Sequence, residues 1–375
     1  MDKAFVCYDP QVCFLGDTLL AGLWEQDDVD IYEEFPVSHA RGGVDEGYDL
    51  PNSETKGYTS TPNYFSNPLP PNPHPREEIL DNARNFDFIF LLNTRDYSMR
   101  GLRWFLEKTG LNPKGLPLFV ADGEDHDHID TDLIRQFGIR CFFKRELVQG
   151  HMPVGYVPSL DCHLMPLPFA AFTRSYPEID DTIKDFDIFL SLGSTHPIRT
   201  VVLAKVMEYA MTKDLRHWIG TDSNAEVRNL PYGYEFHQML GWHEYITKQA
   251  QSEVTVVIRG HGRDTLHAWE AFSFATAVAY VDPGIYMPYP FENGIHCLSY
   301  YRDDCVDLEF QLDRLFNEPE LRRSIAQAGK AHCRKYHTTK ARVTYMLDVA
   351  RKIRDGQPIE LEEYGIHPTM RSHPF

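Results

Sequence analysis

Short apolar runs that alternate with helix-like segments constrain the fold of this chain more than any other feature of its sequence. A first series consists of AFVCY (4–8), DFIFLLN (87–93), LPLFV (116–120) and CFFKREL (141–147). A second series consists of DFDIFLSLG (185–193), RHWIGTD (216–222), VTVVIRG (254–260) and AVAYVDP (277–283). Strands that alternate with helices form mostly parallel sheets with helices on both faces. The sequence therefore predicts an α/β protein that contains two such units.

A proline-rich stretch separates the two series. It runs from Gly150 to Phe172 and reads as an extended connector, because proline blocks a regular helix. A chain of 375 residues also exceeds one typical core. We predict a first unit over 1–155, a linker over 156–180, a second unit over 181–350 and a tail over 351–375. The deep cleft of such a protein lies between the units, at the carboxyl ends of the strands.

Charge and cysteine usage narrow the possible partners and compartment. The formal net charge is −18, which repels a phosphate backbone and disfavours a nucleic-acid partner. The sequence contains no apolar run long enough to predict a membrane span. Its 7 cysteines include no C-x-x-C pair, which favours reduced thiols in a cytoplasmic protein and argues against a structural zinc site.

The loop RGHGRDT (259–265) lies between a predicted strand and a predicted helix. Its two glycines allow a ligand to approach the backbone, and Arg259 and Arg263 flank the turn as partners for an anion such as a diphosphate. In the alternative interpretation, Asp264 caps the helix and fills the anion position itself. Glu270 follows on the helix, where its carboxylate either accepts hydrogen bonds from ribose hydroxyls or is simply solvated.

From about residue 150 to 350, the sequence resembles the C-terminal domain of GT-B-fold glycosyltransferases, in particular the glycosyl transferases group 1 and spore-maturation CgeB-like family. The resemblance is carried by the turn GHGRD, the segment WEAFSFATAVAY, the segment PFENGIHC and the terminal HTTKARV. It implies the GT-B fold, in which two Rossmann-like domains face each other across a cleft. The N-terminal domain would hold the acceptor and the C-terminal domain a nucleotide-sugar. It implies no metal and no further cofactor.

The resemblance also implies roles for particular residues. Arg263 would stabilise the charge of the leaving diphosphate. Besides Arg259, which the loop itself suggests, the donor-binding residues that the resemblance implies are Gly193, Ser194, Arg199, Trp242, His243, Gly260, Gly262, Asp264, Thr265 and Glu270. The sequence departs from the family at Gly262, where many retaining members carry a second glutamate. Retention or inversion at the anomeric carbon therefore stays open.

The acidic loop ADGEDHDHID (121–130) follows a strand of the first unit and should face the cleft. A base must take the proton of the acceptor hydroxyl, and we predict His126 first and Asp125 second for this role. The predicted acceptor contacts are Asp122, Glu124 and Asp17. Two alternatives remain, a solvated acidic loop and a site for a divalent metal.

We predict a hexosyltransferase-like glycosyltransferase that moves a sugar from a nucleotide-sugar, with UDP-glucose as the first guess, to an unknown acceptor hydroxyl. The acceptor is a glycan, a protein, a small molecule or a modified DNA base. The alternatives are an enzyme similar to a sugar-nucleotide epimerase and a non-catalytic GT-B-like binding protein.

Overall fold

The structure of this protein is a computed structural model. It describes residues 1–8, 14–34, 69–72, 74–94, 96–193, 195–221, 236–238, 240–301 and 304–368.

The first sheet has seven strands in the order β2-β1-β3-β4-β5-β7-β6, and every pair is parallel except β6 with β7. Its strands are β1 (Asp2–Cys7), β2 (Val29–Glu33), β3 (Phe88–Leu91), β4 (Leu118–Asp122), β5 (Cys141–Lys144), β6 (Gly155–Val157) and β7 (Cys162–Pro166). The central strands are buried along their whole length, as expected for a sheet covered by helices on both faces. We call this sheet and its helices the first domain.

The second sheet has six strands, all parallel, in the order β10-β9-β8-β11-β12-β13. Its strands are β8 (Phe186–Leu192), β9 (His217–Thr221), β10 (His237–Gln238), β11 (Ser252–Val257), β12 (Ala277–Val281) and β13 (Leu298–Tyr300). This sheet and its helices form the second domain. Two Rossmann-like domains confirm the predicted fold class.

Ten α-helices of the described residues connect and cover these strands. They are α1 (Phe14–Trp24), α2 (Arg76–Asp81), α3 (Asp96–Thr109), α4 (Thr131–Phe137), α5 (Pro197–Thr212), α6 (Trp242–Ala250), α7 (Leu266–Phe272), α8 (Leu308–Asn317), α9 (Pro319–Tyr336) and α10 (Thr339–Arg354). Local sequence explains several ends. Asp130 caps α4 by accepting the amide of Leu133 at 2.8 Å, and Gly138 ends the helix in a left-handed conformation.

The connection between the domains is shared by both. Strand β7 and the last two residues of β6 lie in the predicted linker 156–180, yet both strands belong to the first sheet. Helix α10 extends to Arg354, inside the predicted tail 351–375, and packs on α1 of the first domain. One buried cluster joins Leu19, Phe169, Trp269 and Val343 from both domains and the connector. This shared core fixes the position of α7 against the first domain.

Candidate functional site

Two turns at the carboxyl ends of neighbouring strands β8 and β11 are joined by Arg199 of α5. Its Nε donates to the carbonyl of Arg259 at 2.9 Å, and its Nη1 donates to the carbonyl of Gly193 at 2.9 Å. A side chain at Gly260 would begin 3.0 Å from the Nη2 atom of Arg199. Glycine therefore permits the close packing of the guanidinium against the second turn.

Basic groups gather at these two turns, and we call Arg199, Arg259, His196 and His261 the Arg–His cluster. The Nη2 atom of Arg259 lies 3.0 Å from Nε2 of His196. The Nδ1 atom of His196 accepts the amide of Ile198 at 3.2 Å and so caps α5. A neutral imidazole has only one acceptor nitrogen, so His196 can satisfy only one of these two donors. The Nε atom of Arg259 is also buried without a hydrogen-bond partner among the described residues.

Two more histidines accompany these residues. His261 is exposed, and its ring centre lies 6.4 Å from that of His196. His267, on α7, is buried, and neither ring nitrogen has a hydrogen-bond partner in the described part of the chain. Burial and the charge of Arg199 lower the pKa of His267 to about 3. Burial, Arg259, His261 and Arg199 lower the pKa of His196. His261 and His267 were not identified from the sequence, because nothing in their local pattern marks them.

The second half of the predicted diphosphate loop meets the first domain. The carboxylate of Glu146 accepts the backbone amide of Arg263 at 2.9 Å and that of Asp264 at 3.1 Å. Glu146 is itself buried, and Arg145 beside it donates to the carbonyl of Asp264 at 3.3 Å. A carboxylate from the other domain thus occupies amides that the sequence assigned to a ligand. Arg263 extends its Nη1 atom to the carbonyl of Pro283 at 3.5 Å.

Asp264 faces the interior. It accepts the amide of Phe169 at 2.6 Å and Nε1 of Trp269 at 2.8 Å. Burial raises its pKa to about 6, against the opposing charge of Arg145. Thr265, and not Asp264, is the N-cap residue of α7, and its side chain makes no cap hydrogen bond. The Asp264 side chain therefore fastens the connector to α7.

Gly262 lies where the two domains come closest. A side chain there would begin 2.5 Å from Oδ1 of Asp125 and 2.8 Å from Oε1 of Glu146. Nη2 of Arg145 would lie at 2.9 Å. A larger side chain at this position would force these side-chain ends to shift, so glycine suits the close approach of the two domains here.

The acidic loop of the first domain divides into buried and exposed parts. Asp122 is buried and accepts Nζ of Lys144 at 2.8 Å and the amide of Glu124 at 3.0 Å. Asp125 is exposed and contacts Arg145, which brings it against Gly262. His126 is exposed as well. The structure thus brings Asp125 of the predicted acceptor side to the predicted donor loop.

The remaining predicted residues lie in three places. Asp17 is buried in α1 and accepts a hydrogen bond from the hydroxyl of Tyr8. Glu270 is buried on α7 and is one of the charges that raise the pKa of Tyr176, after burial itself. The ring of Trp242 lies 5.9 Å from that of Tyr176, and His243 beside it is exposed. Glu270, Tyr176 and Trp242 therefore share one neighbourhood. Ser194 lies outside the described residues.

Glu34 was not identified from the sequence. It is buried just after β2, at the carboxyl end of the first sheet, and Nη2 of Arg76 lies 3.0 Å from its Oε1. Burial raises its pKa to about 7, although Arg76 acts in the opposite direction. A buried carboxyl that titrates near neutral pH is typical of functional sites, but also of structural ion pairs.

Neither a metal-binding cluster nor a membrane-spanning helix is present in the described part of the chain. No three His, Cys, Asp or Glu side chains there are grouped to hold a metal ion. No helix among those residues is long and apolar enough to cross a membrane. Metal independence and a cytoplasmic location stay predictions.

Comparisons with known proteins identify the class. Residues 231–348 match the family model described as glycosyl transferase-like. No curated protein matches the chain. A glycosyltransferase from Rickettsia africae superposes with a TM-score of 0.57 at 9% identity, over 94% of this chain and 98% of that chain.

Two further structures share the fold. Anabaena HepE in complex with UDP and glucose has a TM-score of 0.55 at 9% identity, over 94% of this chain and 100% of that chain. An α-glucosyltransferase in complex with UDP-glucose and DNA containing an abasic site has a TM-score of 0.50 at 8% identity, over 93% and 99%. The predicted GT-B fold and glycosyltransferase class are confirmed. The narrower resemblance to the CgeB-like group stays a prediction.

Proposed function

We propose that this protein transfers a sugar from a nucleotide-sugar to an acceptor hydroxyl, and that the Arg–His cluster holds the diphosphate of the donor. The observation that carries this proposal is the conflict at His196, where two donors compete for one acceptor nitrogen. An anionic oxygen that accepts from Arg259 resolves that conflict, and a diphosphate offers several such oxygens. The site lies at the carboxyl ends of parallel strands, where this kind of fold binds ligands.

In this proposal the cluster acts as the electrostatic stabiliser of the leaving group. The acceptor oxygen attacks the anomeric carbon, the bond from that carbon to the diphosphate oxygen breaks, and negative charge grows on the diphosphate. Arg259 and Arg199 supply positive charge there, so no step requires a metal. Arg263 lies next in the loop and is proposed to assist from the side of Pro283.

The proton of the acceptor hydroxyl passes to a base on the first domain. Asp125 and His126 are both exposed, and Asp125 lies against the loop that follows β11. Asp122 is a weaker candidate because Lys144 and the amide of Glu124 already occupy its oxygens. We therefore assign the base to Asp125 or His126 and leave Asp122 a structural role.

For the rest of the donor, we propose that Glu270 binds the ribose and that Trp242 frames the base. UDP-glucose is the first donor to test, because HepE and the α-glucosyltransferase are described in complexes with UDP-glucose. The acceptor is a glycan, a protein, a small molecule or a modified DNA base. The α-glucosyltransferase complex contains DNA, whereas the net charge of −18 argues against a nucleic-acid acceptor for this protein.

Calorimetric titration with UDP and UDP-glucose tests the proposal. We expect Arg259→Ala to weaken UDP binding by about tenfold or more, because a charge-assisted hydrogen bond is lost. Arg216→Ala is the matched control, since Arg216 pairs with Asp187 at the opposite end of the second sheet. Equal UDP affinity of the folded Arg259→Ala variant and the wild type would show that the diphosphate binds elsewhere.

A further inference from the structure

A cavity of about 750 Å³ lies beyond the carboxyl end of β12. Asp282 and Pro283 follow this strand directly, and the last turns of α9 contribute His332 and Tyr336. Gln149 closes one side from the first domain. We call this space the β12 cavity. None of its described lining residues belongs to the Arg–His cluster, although the carbonyl of Pro283 in this lining accepts Nη1 of Arg263 at 3.5 Å.

The charges of the β12 cavity disfavour an anionic ligand. Asp282 and Glu292 line it with exposed side chains, and neither is paired with a cation in the described ranges. No lysine or arginine is among its described lining residues. Burial lowers the pKa of His332, which disfavours a positive charge on this imidazole. A phosphate or carboxylate ligand would meet like charge at Asp282 and Glu292, whereas a neutral ligand would not. Outside this lining, Nζ of Lys335 lies 4.7 Å from the centre of the Tyr336 ring.

Aromatic rings form the apolar part of the wall. The rings of Tyr289 and Tyr336 are stacked, with centres 4.3 Å apart and planes 20° apart, and both side chains are half-buried. Phe291, also half-buried, continues this surface. The amide side chain of Asn293 and the carboxylate of Glu292 lie beside these rings in the sequence and in the lining. Flat apolar rings and polar groups thus share one wall.

The backbone at Tyr289 is unusual. Its φ angle is 52°, a conformation that non-glycine residues seldom adopt. The surroundings hold it there, because His332 and His337 both contact its carbonyl oxygen at 2.8 Å and its amide donates to the carbonyl of Tyr364 at 2.6 Å. Such enforced conformations concentrate at ligand-binding sites. Here the constraint presents a tyrosine ring to the cavity.

We propose that the β12 cavity binds a neutral saccharide. A pyranose has apolar faces that pack on aromatic rings and hydroxyls that hydrogen-bond to carboxylates and amides, which are the two kinds of surface that this wall combines. The site shares no lining residue with the Arg–His cluster and needs no catalytic activity. This proposal can therefore fail while the proposed function holds, and the reverse is also true.

Saturation-transfer NMR with the whole protein tests this proposal, with maltotriose, cellotriose and chitotriose as neutral probes and trigalacturonate as the acidic comparison. We expect at least one neutral trisaccharide to bind more tightly than trigalacturonate, also when UDP is present at saturation. Tyr336→Ala should weaken that binding by about tenfold, as expected when an aromatic anchor is lost. Tyr301→Ala is the matched control, because Tyr301 is exposed and does not line the cavity.

A second variant keeps the test decisive if Tyr336→Ala does not fold. Glu292→Gln removes one exposed charge while keeping the size of the side chain, so it should narrow the preference for neutral over acidic trisaccharides. The proposal is wrong if no neutral probe binds, if UDP displaces the saccharide, or if both cavity variants bind all probes as the wild type does.

Discussion

The two halves of the loop between β11 and α7 use their polar groups in opposite ways. In residues 262–265, amides and a carboxylate are satisfied by Glu146, Phe169 and Trp269, which belong to the protein itself. In residues 259–261, Arg259 faces an imidazole that can accept only one hydrogen bond, and its Nε is buried without a described partner. One glycine-rich loop therefore combines a junction between domains with a proposed ligand site. A glycine in such a loop indicates that another group comes close to the backbone. At Gly262 that group belongs to the first domain of the protein and not to a ligand.

The largest expected effect is a loss of stability on mutation within residues 262–265, which form the junction between the domains. Asp264→Ala leaves the amide of Phe169 and Nε1 of Trp269 without their acceptor, and it removes a charge beside buried Arg145. We expect the free energy of unfolding to fall by about 3–5 kcal/mol, as for other broken buried networks. Denaturant unfolding measures this change, with Asp27→Ala as the control because Asp27 is fully exposed. A loss no larger than that of the control would mean that this half is not fixed by the protein.

The second effect concerns pH and His267, which lies beside Arg199. The unfolded chain binds a proton at this histidine near its ordinary pKa of 6.5, whereas the folded protein holds the pKa at about 3. The free energy of unfolding therefore has its full value above about pH 6.5. It decreases as the pH falls further, because the unfolded chain takes up a proton that the folded protein does not bind. His267→Leu removes this dependence, so between pH 8 and 5 the variant should lose about 2 kcal/mol less than the wild type. If the free energy of unfolding of the two proteins, measured by denaturation, changed by the same amount over that pH range, the buried neutral state of His267 would be contradicted.

The third effect tests how closely the domains approach. Gly262→Ala places a methyl group 2.8 Å from Oε1 of Glu146, so side chains must shift. We expect unfolding free energy to fall by about 1–2 kcal/mol, the cost of overpacking. Gly115→Ala is the control, because nothing lies within 4 Å of a side chain there. If both variants have the same thermal midpoint, the two domains are less tightly apposed than described.

The smallest expected effect concerns the proposed ligand site and the role of Glu270 in binding the ribose. Glu270→Gln should weaken UDP binding by about tenfold, since a charged acceptor for ribose hydroxyls is lost. The wild type should bind UDP more tightly than its 2′-deoxy or 3′-deoxy analogue, and the variant should discriminate less. If calorimetry showed that the variant distinguishes UDP from its deoxy analogues as well as the wild type does, the ribose would lie away from Glu270. The assignment of the diphosphate site would be unaffected.

Much of the fold could be predicted because its signals are local. The apolar runs at 87–93 and 254–260 overlap β3 and β11, and the alternation with helices indicates parallel sheets. The short strands β6 and β10, of three and two residues, carry too little pattern to be recognised. Their existence depends on pairing with neighbours that only the folded chain brings near.

The site was less predictable, because its decisive contacts join distant parts of the sequence. Arg259 and Gly260 could be selected from a turn between a strand and a helix. The hydrogen bond from the Arg263 amide to Glu146 joins residues that are 117 positions apart, and no local sequence pattern predicts it. Likewise, His196 is an ordinary helix cap until Arg259 is placed beside it.

A crystal structure with bound UDP tests the central claim most directly. We predict that oxygens of the diphosphate lie within hydrogen-bonding distance of Nη2 of Arg259 and a ring nitrogen of His196, while Glu146 keeps the amides of Arg263 and Asp264. A diphosphate that displaces Glu146 from these amides, or that binds away from the Arg–His cluster, would contradict the account.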